Sequence, residues 1–390
     1  MHVLPAGDGG HDFVCTRCNG DLGTLAGGLD RPIAFLTAAA ICFVVANSLP
    51  FMTLSIGGLQ QSCSLLSASW ALWNEDMQIL GLLVFLVATA APAIKILGLL
   101  YVLVPLRGGR RPPMAARVYR LVGGIKPWAM MEVYLLGIIV AYVKLIELAH
   151  VELGVATFAF VATVLFEIAA EATTEPMSVW HRIMPQSGSE LLEREDRSTV
   201  GSCHVCRQVL LVPRIIHPSC PRCSAGIHDD DPNSRQTALS LLCAAVVLYI
   251  PANVLPVMTV IYLGTGEPDT IMSGVVLLWQ SGMYPVAALV FIASILVPVL
   301  KILALSWLIF ASNRSTQVVR QKTRIYRVVE LVGRWSMVDI FMIGILTALV
   351  SLGNLATILP GTGALAFASV VVLTMLASAS FNPRLMWQRP

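Results

Sequence analysis

Pro92-Ala93-Ile94-Lys95-Ile96-Leu97 returns 206 positions later as Pro298-Val299-Leu300-Lys301-Ile302-Leu303. Both stretches set a proline and a lysine inside otherwise apolar sequence. The same offset aligns Ala46-Asn47-Ser48-Leu49-Pro50 with Ala252-Asn253-Val254-Leu255-Pro256, and Trp73 with Trp279. One inserted residue then moves the offset to 207, relating Tyr119 to Tyr326, Trp128 to Trp335, Glu132 to Asp339, Pro176 to Pro383 and Trp180 to Trp387. Offsets this constant across about 180 residues mark a tandem duplication.

The repeated material is greasy. Of 390 residues, 56% are hydrophobic and 13% charged, against roughly 25% charged in soluble domains. Windows of about 20 apolar residues recur, the length of a bilayer-crossing helix. The predicted fold is therefore an all-α polytopic membrane protein: a duplicated four-helix transmembrane unit, eight helices in all. They are placed at 33–53, 78–105, 121–148, 153–172, 236–258, 283–311, 328–351 and 362–381. The first 30 residues lack the basic and apolar regions of a signal peptide, so the first apolar segment is expected to stay as a helix.

Charge sets the expected orientation. Arg107, Arg110, Arg111, Arg117 and Arg120 crowd one connector, and Arg314, Arg320, Lys322, Arg324 and Arg327 crowd its repeat. The connectors 54–77 and 259–282 contain no Lys or Arg but hold Glu75, Asp76, Glu267 and Asp269. The positive-inside rule places the basic loops, the middle of the chain and both termini in the cytoplasm. Each unit then starts and ends on one side, so the two are parallel repeats.

Cys203-x2-Cys206 and Cys220-x2-Cys223 lie thirteen residues apart, a spacing that lets four thiolates converge on Zn²⁺ as in a zinc ribbon. A module of about 30 residues has too little core to fold without such help. Redox CxxC pairs are the alternative, but no βαβ pattern surrounds them. Cys15 and Cys18 match Cys220 and Cys223, while matches to Cys203 and Cys206 would fall at or before the first residue. The amino-terminal module thus reads as an incomplete ribbon: either its start is placed too late, or His2 and His11 complete an irregular site. The expected domains are this half ribbon at 1–30, a four-helix unit at 31–180, a linker at 181–200, a zinc ribbon at 201–232 and a second unit at 233–390.

Ionisable residues within apolar segments mark functional positions because they are costly there. Lys95 and Glu132 fall at similar depth on consecutive predicted helices, roughly 15 Å from the basic end at 1.5 Å per residue. Lys301 and Asp339 repeat the arrangement. Each pair reads either as a structural ion pair or as a proton- or substrate-responsive cluster. Ser294 shares a helix face with Lys301, Ser336 shares one with Asp339, and Thr374 sits mid-segment in the last helix. Pro298 also frees the carbonyl of Ser294. Lys144 and Glu147, three apart, read as an interfacial pair or a substrate contact. Alanines stand opposite Ser294 and Ser336 in the first copy, so the second copy is expected to be the working half.

Nucleotide-binding, zinc-peptidase and serine-hydrolase motifs are absent, and no basic aromatic surface accompanies the ribbon, so neither an enzyme nor a nucleic-acid binder is expected.

The two knuckles, Ala252-Asn253-Val254-Leu255-Pro256, Trp279-Gln280-Ser281-Gly282-Met283-Tyr284-Pro285, Pro298-x2-Lys301, Val332-Gly333-Arg334-Trp335-Ser336-Met337-Val338-Asp339 and Phe381-Asn382-Pro383-Arg384-Leu385 together resemble the paraquat-inducible protein A family of bacterial inner-membrane proteins. The resemblance spans nearly the whole chain and is stronger in its second half. It implies cytoplasmic zinc ribbons, each preceding a four-helix unit. It also implies a periplasmic MCE-domain partner with which phospholipid moves between inner and outer membranes. It implies a polar transport cluster at Ser294, Lys301, Ser336, Asp339 and Thr374, with Lys144 and Glu147 in the first half. A membrane scaffold or stress-response protein recruiting cytosolic partners through its ribbons is the rival reading.

Overall fold

The computed structural model describes residues 28–56, 59–146, 150–184, 198–203, 205–206, 209–213, 220, 222–226, 234–262, 265–310, 337–350 and 356–380. Among them, six helices are long and apolar enough to cross a membrane: Asp30–Ser48, Gln78–Arg107, Val155–Thr173, Ser234–Val254, Tyr284–Ile309 and Thr362–Ser380. Ile41, Val44, Leu97, Phe158, Val247 and Ile250 stand exposed on them. Such surface suits hydrocarbon and not water, and the chain is a multi-pass membrane protein.

The first repeat runs α1 (Asp30–Ser48), β1 (Met52–Ile56), β2 (Leu59–Cys63), α2 (Leu65–Asn74), α3 (Gln78–Phe85), a π turn at Leu86–Ala90, α4 (Ala91–Arg107), α5 (Ala115–Ile125), α6 (Met131–Ile146), β3 (His150–Leu153), α7 (Val155–Thr173) and α8 (Pro176–Ile183). A two-stranded element, β4 (Ser198–Ser202) and β5 (Val209–Pro213), precedes the second repeat. There follow α9 (Ser234–Val254), β6 (Met258–Tyr262), β7 (Thr265–Asp269), α10 (Ile271–Gln280), α11 (Tyr284–Phe291), a π turn at Ile292–Leu296, α12 (Val297–Phe310), α13 (Val338–Leu349), β8 (Ala356–Pro360) and α14 (Thr362–Ser380).

The duplication is preserved down to hydrogen-bond register. In one sheet β1 lies between β2 and β3, pairing Met52 with Cys63 and with Leu153. In the other, β6 lies between β7 and β8, pairing Met258 with Asp269 and with Pro360. These sheets depart from the all-α expectation. Their sequence is a short alternation: Met52 and Leu54 are buried while Thr53 and Ser55 are not, giving β1 one face. Capping boxes, Ser64 with Ser67 and Thr270 with Ser273, then open α2 and α10.

Both π turns have one cause. Pro92 and Pro298 cannot donate a backbone hydrogen bond, and their rings crowd the carbonyls of Ala88 and Ser294 four residues back. A widened turn holds each of those residues. The single helix expected at 121–148 is instead α5 and α6, separated at Lys126–Met130. Gly123 and Gly124 weaken the helix there, and Pro127 terminates it.

The residues cluster into two compact units that cut across the repeats. One holds residues 1–44, 91–129 and 161–229. Its core combines Leu36, Leu99, Val102, Val122, Val179 and Trp180 with the four cysteines of the central ribbon. The other holds residues 45–90, 130–160 and 230–390. There α9 packs along α14, and α13 packs against α2 and α6, with Tyr134 set against Phe160 and Phe341. Gly154 and Gly361 make the close joints of this unit. A Cβ on either would lie 2.2 Å from a backbone oxygen, that of Pro50 or Pro256. The Asn-x2-Pro elements thus end their helices against a glycine that leaves room for them.

Candidate functional site

The ribbon is built by β4 and β5, which flank the first knuckle, and by a turn in which Ser224 N–H donates to the Cys220 carbonyl at 2.7 Å. Cys203, Cys206, Cys220 and Cys223 are buried, and their sulfurs all lie within 4.8 Å of one another. Cys203 and Cys223 Sγ are 3.5 Å apart, and Cys206 and Cys220 Sγ 3.6 Å. A tetrahedron with metal–sulfur bonds of about 2.3 Å has edges near 3.8 Å, whereas a disulfide needs about 2.05 Å. The set is therefore shaped to hold a metal ion. Burial opposes ionisation of Cys203, but the backbone N–H groups of Cys206 and Val205 overcome it and hold that thiol below its ordinary value. Burial pushes Cys223 up to about 11. Arg222, itself buried, places a cation beside the sulfurs, where four thiolates outweigh a divalent ion. Cys15 and Cys18 lie outside the described residues.

This ribbon is docked. Arg120 of α5 donates from Nη1 to the carbonyls of Cys223 and Ser224, at 3.2 and 2.8 Å. Between ribbon and helices lies a cavity of about 770 Å³. Its charged lining is Lys95, Arg120, Lys126 and Glu171.

Lys95 is 5% exposed. Its ammonium pairs with Glu167 at 2.8 Å and with Glu171, and Lys126 reaches Glu171 at 2.8 Å. Two cations thus face two carboxylates, which offsets the several kcal/mol that each buried ion costs alone. The expected pairing of Lys95 with Glu132 is corrected by this geometry. Because the chain breaks before α6, Glu132 sits exposed in the first turn of that helix rather than deep within one. Glu167 and Glu171 do carry a sequence signal: they are four apart, hence on one helix face, near the end of an apolar run.

In the second repeat Lys301 is 4% exposed and makes no ion pair among the described residues. Ser294, in the π turn, is buried with its hydroxyl lacking a hydrogen-bond partner among them. Thr374 is buried and donates to the Val371 carbonyl at 2.9 Å. By the 207 offset Thr374 and Ser378 stand where Glu167 and Glu171 stand. The larger described charge network therefore belongs to the first repeat. Asp339 lies in α13, and Lys144 near the end of α6. Ser336 and Glu147 lie outside the described residues.

The sequence model of "Paraquat-inducible protein A" matches residues 29–184 and again 235–390. The chain is 35% identical over 400 aligned residues to "Intermembrane transport protein PqiA" of Escherichia coli K12, covering 99% of this chain and 93% of the relative. It is 30% identical to "Lipophilic envelope-spanning tunnel protein A" of the same organism, covering 99% and 89%. It is 27% identical to a "Probable intermembrane transport protein" of Haemophilus influenzae, covering 96% and 90%. No solved structure matches the chain. Two matched repeats, each with its own sheet and proline-widened helix, together with near full-length similarity, place the chain in the paraquat-inducible protein A family.

Proposed function

We propose that this chain is the inner-membrane subunit of a bacterial envelope system that moves phospholipid between membranes, working with a periplasmic MCE-domain partner. The observation that carries the reading is end-to-end similarity, over both repeats, to a protein named for intermembrane transport. The shorter helices α6 and α13 complete eight spans, and the basic loops, the ribbon and both termini face the cytoplasm. Zn²⁺ fills the four-thiolate centre and holds the ribbon folded.

In the second repeat Lys301 and Asp339 form the working polar pair, with Ser294, Ser336 and Thr374 around them. A lysine buried at membrane depth shifts readily between charged and neutral forms. Proton movement through this pair supplies the energy for handing lipid to the partner. Lys144 and Glu147 serve the first half, where Lys95 is held by Glu167 and Glu171. The test is envelope-lipid function and partner cross-linking in cells whose only copy is Lys301→Met or Asp339→Asn. Both variants are expected to accumulate folded and bind the partner but fail to support transport. Full transport by both sinks the proton mechanism, and loss of partner cross-linking in the unaltered chain sinks the transport reading.

A further inference from the structure

The ribbon-side cavity has the chemistry of a ligand site. At about 770 Å³ it falls within the range of small-molecule pockets. Three cations, Lys95, Arg120 and Lys126, stand against the carboxylates Glu167 and Glu171, leaving an excess of positive charge. Lys95 is committed to its carboxylates. Arg120 uses Nη1 on the ribbon carbonyls and keeps further N–H donors. Lys126 is half exposed and spends one interaction on Glu171. Arg120 and Lys126 are thus the groups able to receive a phosphate, by charge-assisted hydrogen bonds.

The walls say what carries that phosphate. Leu99, Val122 and Trp180 are apolar, and Glu171 and Thr174 close the end of the span Val155–Thr173. Charged and aromatic residues at the end of an apolar span are where a bilayer's headgroup layer meets a protein. Gly123 and Gly124 line the cavity without side chains. A Cβ on Gly123 or Gly124 would meet nothing within 4 Å. The second repeat has Glu330 and Leu331 at these two positions.

We propose that this cavity binds the phosphate headgroup of a membrane phospholipid through Arg120 and Lys126, with the glycerol and upper acyl carbons against Leu99, Val122 and Trp180. The proposal rests on the transport reading for its purpose but not for its chemistry, so binding is measured apart from transport.

The experiment titrates the purified full-length chain in detergent with phosphatidylglycerol, with diacylglycerol and with inorganic phosphate, following bound species by native mass spectrometry. Saturable binding of phosphatidylglycerol, none of diacylglycerol, and no displacement by excess phosphate is the expected pattern. Gly124→Leu, which projects into open space, and Lys126→Gln should each weaken binding by about ten-fold or more. Gly124→Ala should bind as the native chain does, which shows that the helix tolerates a side chain there. Equal binding by the native chain and Gly124→Leu overturns the site. Phosphate binding without lipid binding overturns the lipid assignment. Site binding together with full transport by Lys301→Met and Asp339→Asn leaves this proposal standing and removes the proton mechanism.

Discussion

Lys95 and Lys301 hold equivalent places in their repeats and live in different chemistry. Lys95 is held by Glu167 and Glu171, whereas the equivalent positions in the second copy carry hydroxyls, those of Thr374 and Ser378. Removing one partner from a buried pair leaves a bare charge, so Lys95→Met should destabilise the chain by about 3–5 kcal/mol. Combining it with Glu167→Gln should cost less than the two single changes added together, because the second change discharges the orphaned carboxylate. Thermal unfolding of the four proteins in one detergent measures the coupling, and strict additivity would show that the pair is energetically idle. Arg120 offers a second residue-scale test. Its guanidinium is a described tether between α5 and the ribbon, so Arg120→Ala should leave metal content unchanged while speeding proteolysis within the ribbon. Cys220→Ser, by contrast, should lose the metal itself, read as metal per chain by elemental analysis. Retained stoichiometric metal in the Cys220→Ser protein would remove Cys220 from the ligand set.

At the scale of elements, the glycine joints make the clearest claim. A methyl group at Gly154 or Gly361 meets a carbonyl oxygen at 2.2 Å, and backbone cannot yield as a flexible side chain can. Gly361→Ala and Gly154→Ala should each cost about 1–3 kcal/mol of stability, seen as a lower unfolding midpoint in detergent. An unchanged midpoint would mean that the strand before each last helix is free to shift. This joint also shows where sequence reading stops. The Asn-x2-Pro repeat is visible by eye, and its role as a helix end is readable because proline terminates helices. Its glycine partner lies about a hundred residues away, where no local pattern announces it. The long helices were legible from apolar run length; Pro92 and Pro298 marked the freed carbonyls, but the widened turns that hold them were not read. The strands were not read, because each is only four or five residues long and apolar runs nearby dominate the signal. The partners of Lys95 were misassigned for a similar reason. Apolar run length hides the break at Lys126–Met130, and with it the true depth of Glu132. The grouping of the four cysteines was legible from their spacing, two CxxC knuckles thirteen residues apart.

At the scale of the whole molecule, duplication copied a skeleton and divergence then divided its chemistry. Each copy keeps the proline-widened helix, the buried lysine and the three-stranded sheet in matching register. The first copy adds Glu167 and Glu171, which pair with its lysine, Lys126, which shares Glu171, and Arg120, which tethers the ribbon. The second copy replaces the carboxylates with Thr374 and Ser378 and leaves Lys301 without a described ion pair. A lysine committed to two carboxylates stabilises, whereas a lysine paired, as proposed, with Asp339 alone is freer to change its charge. Restoring the carboxylate should therefore convert the second copy to the behaviour of the first. Because α12 packs against α14 in one compact unit, Thr374→Glu places an acid on a helix packed against that of Lys301, at the sequence position equivalent to Glu167. The variant should unfold at a higher temperature in detergent, since a buried cation gains a second carboxylate beside Asp339, its partner in the proposed pair. It should also lose envelope-lipid function, because a fixed ion pair no longer responds to protons. The converse variant, Glu167→Thr, should lose stability and keep more transport than Thr374→Glu does. If Thr374→Glu transports normally while unfolding later, the charge state of Lys301 is irrelevant to the cycle and both copies serve as scaffold. If Glu167→Thr proves the more damaging to transport, the working half is the first.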